Sequence, residues 1–205
     1  MNTPDLLFPP GISRKAIPPV QRFICRNKPS QVLIYTDGAC LDNGNANAKA
    51  GWAFVFRPSS RGVSEEVSAP LEKRGPTGEE HQQTSNRAEL RAVIGALRFR
   101  VWSGEGFREI VIATDSEYVV NGVTEWVRGW LRRGWRTSAG ASVKNRDLWR
   151  ALLGEIERWS DQGVDVKFWH IGRNLNIEAD RKAKEAAANK NNPNEEFSDI
   201  TGVLV

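Results

Sequence analysis

A mixed α/β sheet is the fold class that the sequence predicts, on three observations. The first structured stretch holds apolar strands separated by short turns, the later stretch alternates strands with helices, and acidic residues stand where these strands and helices end or begin. At 205 residues and 40% hydrophobic, the chain can bury one good core and is too short for two large ones. One domain with extensions at both ends is therefore expected.

Residues 1–30 combine Pro9, Pro10, Pro18 and Pro19 with scattered Arg and Lys and show little periodic hydrophobicity, which predicts a mobile extension. From residue 31, QVLIYTDG reads as a buried strand stopped by Gly38, GWAFVF as a second strand, and the stretch around Val63 to Leu71 as a weaker third, together an antiparallel meander. After the polar run TGEEHQQTSN, the segment RAELRAVIGALRFRV places Ala88, Ala92, Ile94 or Gly95, Leu97 and Val101 on a helical stripe, with Ser85 or Asn86 as its cap. EIVIATDS is a strand, YVVNGV and EWVRGWLRR are two short helical pieces, and a longer helix runs from about Arg146 to Trp159. VDVKFWH is a last strand and IEADRKAKEAAANK an Ala-rich helix, so the domain is expected over 31–188, with a disordered tail over 189–205.

Composition narrows the function. Lys and Arg number 29 against 25 Asp and Glu, a net charge of +4 that permits an anionic partner without requiring one. Cys25 and Cys40 are too few for a disulfide framework and stand apart from any zinc-type cluster, which favours a reducing intracellular setting. No apolar run is long enough to cross a bilayer, and the N-terminus lacks the layout of a secretory signal. Nucleus or cytoplasm is the expected location. A mitochondrial presequence also fits a basic, acid-poor N-terminus, but Asp5, the prolines and the weak amphipathicity argue against it.

Four acids occupy special places. Asp37 ends VLIYTD and Asp115 ends VIATD, at the carboxyl ends of apolar strands, where open α/β sheets place their ligands. Glu89 and Asp180 lie near the starts of two helices. Each has an ordinary alternative: a turn for Asp37, a helix cap for Asp115, and complementation of the helix dipole for Glu89 and Asp180. Brought together, however, four carboxylates repel one another, and in a partly buried cleft they are tolerated when divalent cations are bound. An all-oxygen ligand set completed by water suits Mg²⁺ or Mn²⁺, and two such ions suit hydrolysis of a phosphodiester.

The blocks YTDGA, TSNRAEL, ATDSEYVVNGV and NIEAD, carrying these acids in the order Asp, Glu, Asp, Asp, resemble the type 1 ribonucleases H over roughly residues 31 to 188. TEWVRGWLRRGWRTSAG is similar to the basic protrusion of the cellular enzymes of that family. The resemblance implies a five-stranded mixed sheet in the order 3-2-1-4-5, its first three strands antiparallel, with helices on both faces. It also implies cleavage of the RNA strand of an RNA/DNA hybrid by Asp37, Glu89, Asp115 and Asp180 with two Mg²⁺, which Mn²⁺ can replace, leaving 5′-phosphate and 3′-hydroxyl ends. Asn43, Ser85 and Asn86 match positions that contact RNA sugars, although turn and cap roles fit them equally. Thr84 and Asn145 match the pocket for a DNA phosphate, and Trp126, Trp130 and Ser138 match the DNA-strand channel, against the alternative of core tryptophans beside solvated arginines.

The sequence also departs from the family. Relatives with a Gly-His-x-Gly loop carry a histidine before the last acid, whereas here the chain reads IGRNLNIEA between His170 and Asp180, the shorter Arg-x-x-Asn-x-x-Ala-Asp form. His170 is expected to be structural, and Arg173 is the candidate to steady a phosphate in place of the imidazole, with slower turnover as the consequence. Residues 1 to 30 are too short and too Pro-rich to supply the small N-terminal hybrid-binding module of many eukaryotic relatives, so none is expected there. A monomer without an obligate protein partner is expected. Two other readings stay open: a hybrid-binding protein that no longer cuts, and a nuclease directed at DNA.

Overall fold

The computed structural model describes residues 3–60, 63–189, 195–200 and 202. Its centre is a sheet of β3 (Gln31–Leu41), β4 (Lys49–Ser60), β5 (Val63–Pro70), β6 (Glu109–Thr114) and β7 (Asp165–His170). The first three are antiparallel neighbours, and β6 joins β3 and then β7 in parallel, giving β5-β4-β3-β6-β7. This is the expected order 3-2-1-4-5.

Alternation along β3 builds two cores. Val32 and Ile34 face the helices α2 (Ser85–Arg98) and α5 (Arg146–Asp161), in a core that also holds Trp52, Phe54, Leu90, Ile94 and Trp149. Leu33 and Tyr35 face the opposite side with Val55, Val111, Ala113 and Ala179, the last from α6 (Ile177–Ala188). The helices thus cover both faces.

Several expectations are corrected. The segment expected to be a mobile extension is built into the sheet where it is described: α1 (Pro4–Leu7) leads into β1 (Pro10–Ser13), which pairs with β2 (Val20–Ile24), and β2 pairs with β3 at Phe23↔Leu33 and Ile24↔Val32. β2 takes the edge of β3 that β4 occupies from Tyr35 onward, so the sheet has seven strands. These strands are short and mixed and draw on backbone pairing with the strand that follows each, which hydrophobic periodicity does not report.

The tail expected to be disordered docks where it is described. Phe197 lies over the Arg91 guanidinium at 4.4 Å, Arg91 Nη2 donates to the Ser198 carbonyl at 2.8 Å, and the Gly202 N–H donates to the Phe99 carbonyl at 2.7 Å. The remainder of that expectation, residues 190–194, 201 and 203–205, lies outside the described residues.

Three local readings also shift. The cap of α2 is Thr84, whose Oγ1 accepts from the Arg87 N–H at 3.3 Å, rather than Ser85 or Asn86. The two helical pieces after β6 form one run, α3 (Glu117–Asn121) and α4 (Val127–Arg132) joined by a wide π-helical turn over Gly122–Trp126. Gly38 does not stop β3, which continues to Leu41. Instead Gly38 lets α2 touch the strand: a Cβ there would lie 2.2 Å from the Glu89 backbone nitrogen and 2.4 Å from the Ala88 carbonyl carbon.

Candidate active site

The parallel pairing of β3 with β6 ends at Tyr35↔Ala113, and Asp37 and Asp115 each follow by two residues. Both acids therefore stand at one level past the paired segment, in phase with the side chains on the α6 face. Because β3 runs on to Leu41, Asp37 is not at its end but in its middle, beside Ala53 of β4, and is only 4% exposed. Glu89 arrives through the contact of α2 with Gly38, and Asp180 through the first turn of α6. All four carboxylates line one open cleft of about 750 Å³, together with Asn43, Ser85, Arg173 and Lys184.

The ordinary alternative for Asp115 fails, because Ser116 is the residue that caps α3, its Oγ accepting from the Val119 N–H at 3.3 Å. Asp115 Oδ1 instead accepts from Asn176 Nδ2 at 2.7 Å. That amide also donates to the Thr36 carbonyl at 3.0 Å, so Asn176, 1% exposed, ties β3, β6 and the entry to α6 together. Replacing Asn176 with Ala is expected to lower whatever activity this site has about 10- to 100-fold, the usual cost of removing the partner that orients a functional carboxylate. Steady-state rates at fixed Mg²⁺ check this, and full activity would remove Asn176 from the site's design.

Crowding is written into the acidities. Burial, then the charges of Asp115 and Asp180, push the Asp37 carboxyl up to about 7. Burial, then Asp37 and Asp115, push Glu89 well above the usual carboxylate range, and its Oε2 is buried without a hydrogen-bond partner. Asp180 goes the other way: burial alone would raise it, but Lys184 at 2.6 Å and Arg173 at 2.9 Å outweigh that and hold it low.

Divalent cations fit these residues. Every donor of the carboxylate set is a hard oxygen, and Glu89 Oε2, buried without a hydrogen-bond partner, is an acceptor that a cation would satisfy. Among the described residues no three acidic, His or Cys side chains already close on one metal-sized point. The four acids line an open cleft, as suits a cation that keeps water and takes further oxygens from a substrate phosphate.

The expected substrate contacts divide into two groups. Asn43 Nδ2 donates to Ser85 Oγ at 3.4 Å, and both residues line the acidic cleft as well as an adjoining hollow of about 470 Å³. That hollow also holds Thr84, Asn86, Arg87, Lys144 and Asn145. Asn145, in a left-handed conformation at φ 56°, is held from two sides: Arg87 Nη1 donates to its Oδ1 at 3.4 Å, and its Nδ2 donates to the Tyr118 hydroxyl at 3.1 Å.

Trp126, Trp130 and Ser138 lie outside both hollows. Trp130 is buried, its ring 5.4 Å from Trp149 in an edge-on contact, so for this residue the core alternative holds. Trp126 is 36% exposed, Ser138 is exposed, and so are Arg128, Arg132, Arg133 and Arg136 along the same surface. His170 closes β7 on the surface, away from the cleft lining, and both cysteines are free.

Sequence reasoning missed Lys184 and gave Asn176 no role. Lys184 was detectable, since it follows Asp180 by four residues on one helix and so shares its face. An Asn in a turn carries no comparable signal.

Comparison with known proteins agrees with this architecture. The RNase H family model matches residues 29–188. Ribonuclease H of Treponema pallidum subsp. pallidum is 39% identical over 163 residues, 78% of this chain and 93% of that protein. Ribonuclease H of Aromatoleum aromaticum is 41% identical over 157 residues, 75% of this chain and 88% of that protein. Among solved structures, LC9-RNase H1, a type 1 RNase H with the type 2 active-site motif, superposes with a TM-score of 0.52 at 30% identity, over 82% of this chain and 77% of that one. With the strand order, the span of the match and the identity in accord, the chain belongs to the ribonuclease H family.

Proposed function

We propose that this nuclease hydrolyses the RNA strand of RNA/DNA hybrids with two divalent cations, Mg²⁺ or in its place Mn²⁺, leaving 5′-phosphate and 3′-hydroxyl ends. One observation carries the reading: four carboxylates share a cleft in which burial, and after it the charges of Asp115 and Asp180, lift Asp37 to about 7. Asp37, Glu89, Asp115 and Asp180 would hold the ions. Bound there, the ions supply an activated water and stabilise the charge on the attacking and leaving oxygens.

The protein's own groups position the substrate. Asn43, Ser85 and Asn86 present short polar side chains at the mouth of the cleft, suited to a 2′-hydroxyl that both donates and accepts. Thr84 and Asn145, beside Lys144 and Arg87, offer an adjoining seat for a phosphate of the DNA strand. The exposed arginines around Trp126 extend that track along the duplex.

The test is to incubate labelled RNA/DNA hybrid, duplex DNA and duplex RNA with the protein in Mg²⁺, in Mn²⁺ and in chelator. Cleavage of RNA in the hybrid alone, abolished by chelator, is the expected result. Hybrid bound but uncut, or duplex DNA cut equally well, would overturn it. Arg173→Ala is expected to lower kcat about tenfold with little change in KM, because Arg173 holds Asp180 Oδ1. Unchanged kcat and KM would leave Arg173 with no part in turnover.

A further inference from the structure

We propose that the N-terminal segment, residues 4–25, is a positioning device for the acidic cleft, sharing an apolar core with Leu175 and Ala179 so as to hold Asn176 and Asp180 against β3 and β6. The idea deepens the catalytic reading above and rests on it. The segment precedes the span matched by the family model, which begins at residue 29, so its effect is added to that shared core.

The argument starts from the second core. Leu7, Phe8, Phe23 and Cys25 are the segment's contribution to it, and Leu175 and Ala179 are the contribution of the turn Arg173–Leu175 and of α6. Leu175 directly precedes Asn176, and Ala179 directly precedes Asp180. Tyr35 and Ala113, in the same core, each stand two residues before a carboxylate, Asp37 and Asp115. One apolar cluster thus lies under three of the four acids, and the N-terminal segment supplies a side of it.

Specific contacts fix the segment in place. Phe8 is 4% exposed, with its ring 6.3 Å from Trp169 near the end of β7, the strand that leads into the turn. Phe23 sets its ring edge-on to Tyr35 at 5.2 Å, and the Tyr35 hydroxyl donates to Asp5 Oδ1 at 3.3 Å. The Arg26 N–H donates to the Leu7 carbonyl at 2.8 Å, closing α1 onto the strand β2 that pairs with β3. Between the segment and the start of α6 lies a hollow of about 540 Å³, with Asp5, Phe23 and Tyr35 on one side and Leu175, Asn176 and Ile177 on the other. Across this hollow the segment reaches the turn through the shared apolar cluster, and the loss of a cluster member is expected to be felt at Asn176 and Asp180, where misplacement by an ångström matters.

The test compares Phe8→Ala, Phe8→Leu and Asp5→Ala in the full chain. Amide hydrogen exchange across 173–180 is measured in metal-free protein, and kcat and KM on RNA/DNA hybrid in Mg²⁺. Phe8→Ala is expected to speed exchange across 175–180 about tenfold while α5 keeps its protection, and to lower kcat about tenfold with KM within about twofold. Phe8→Leu restores both, and Asp5→Ala, the milder change should Phe8→Ala not fold, moves both in the same direction by about two- to threefold. Lower thermal stability with exchange across 175–180 unchanged would overturn the proposal and leave the segment a mere cover. A change in KM alone would overturn it too, in favour of substrate contact. Exchange is read without substrate, so faster exchange in a protein whose wild type cuts no hybrid sinks the catalytic reading and leaves the positioning contact standing.

Discussion

Asp37→Asn is expected to cut hydrolysis of RNA/DNA hybrid by roughly 10³-fold or more, about 4 kcal/mol of transition-state stabilisation, while leaving the fold intact. The same substitution tests the electrostatics without any substrate. The Asp37 carboxyl is raised from 3.8 to about 7 in the folded chain, by burial first and by Asp115 and Asp180 next. A group raised in this way binds its proton more tightly when folded, so its stabilising contribution is full below the unfolded value and is lost as pH rises from about 4 through about 7. Metal-free wild type should therefore be less stable at pH 8 than at pH 5, by an amount on the order of a few kcal/mol. Asp37→Asn should lessen that slope, Glu89 keeping its own share in the same direction, and Mg²⁺ should restore wild-type stability at pH 8 by binding only the folded state. Urea midpoints at the two pH values, with and without Mg²⁺, are the measurement. Full-rate cleavage by the variant, or a wild-type stability that ignores both pH and Mg²⁺, would remove the acidic cleft as the seat of the reaction.

Gly38→Ala should be as damaging by a different route. A Cβ at this position would sit 2.2 Å from the Glu89 backbone nitrogen, and backbone inside a helix cannot move aside as the tip of a side chain can. Either α2 lifts from β3 or the strand bends, and the overpacking costs about 3 kcal/mol or more. Whatever relaxation follows carries Glu89 away from Asp37, so kcat should fall about 100-fold even at a temperature where the variant remains folded. Unfolding midpoints together with rates at low temperature separate the two effects. A variant of wild-type stability and rate would show that the contact between α2 and β3 is not what brings Glu89 into the cleft.

Much of the central sheet was legible because its signals are local. QVLIYT, GWAFVF and EIVIAT are apolar runs with strand-forming residues, and TSNRAEL opens a helix whose stripe repeats at helical spacing. The acids were legible by type and place. Less legible were β1 and β2, whose segments PGIS and VQRFI are short and mixed and pair with a strand that comes later in the chain. Trp126 and Trp130 read alike at helical spacing, yet packing against Trp149 buries one and leaves the other partly open. Gly38 read as a stop because glycine usually marks a turn, whereas here its missing side chain admits a helix.

The amino-acid order by itself determined the strands and helices from residue 31 onward and which four carboxylates line the cleft. Periodicity and side-chain chemistry belong to short stretches and need no knowledge of distant neighbours. Only the tertiary structure decided the state of those acids: Asp37 driven upward, Asp180 held down by Arg173 and Lys184, Asp115 tied to Asn176, and an N-terminal hairpin joined to the sheet beside them. The energy of a charge depends on burial and on separations between residues as far apart in sequence as 37 and 180, and folding alone sets those distances.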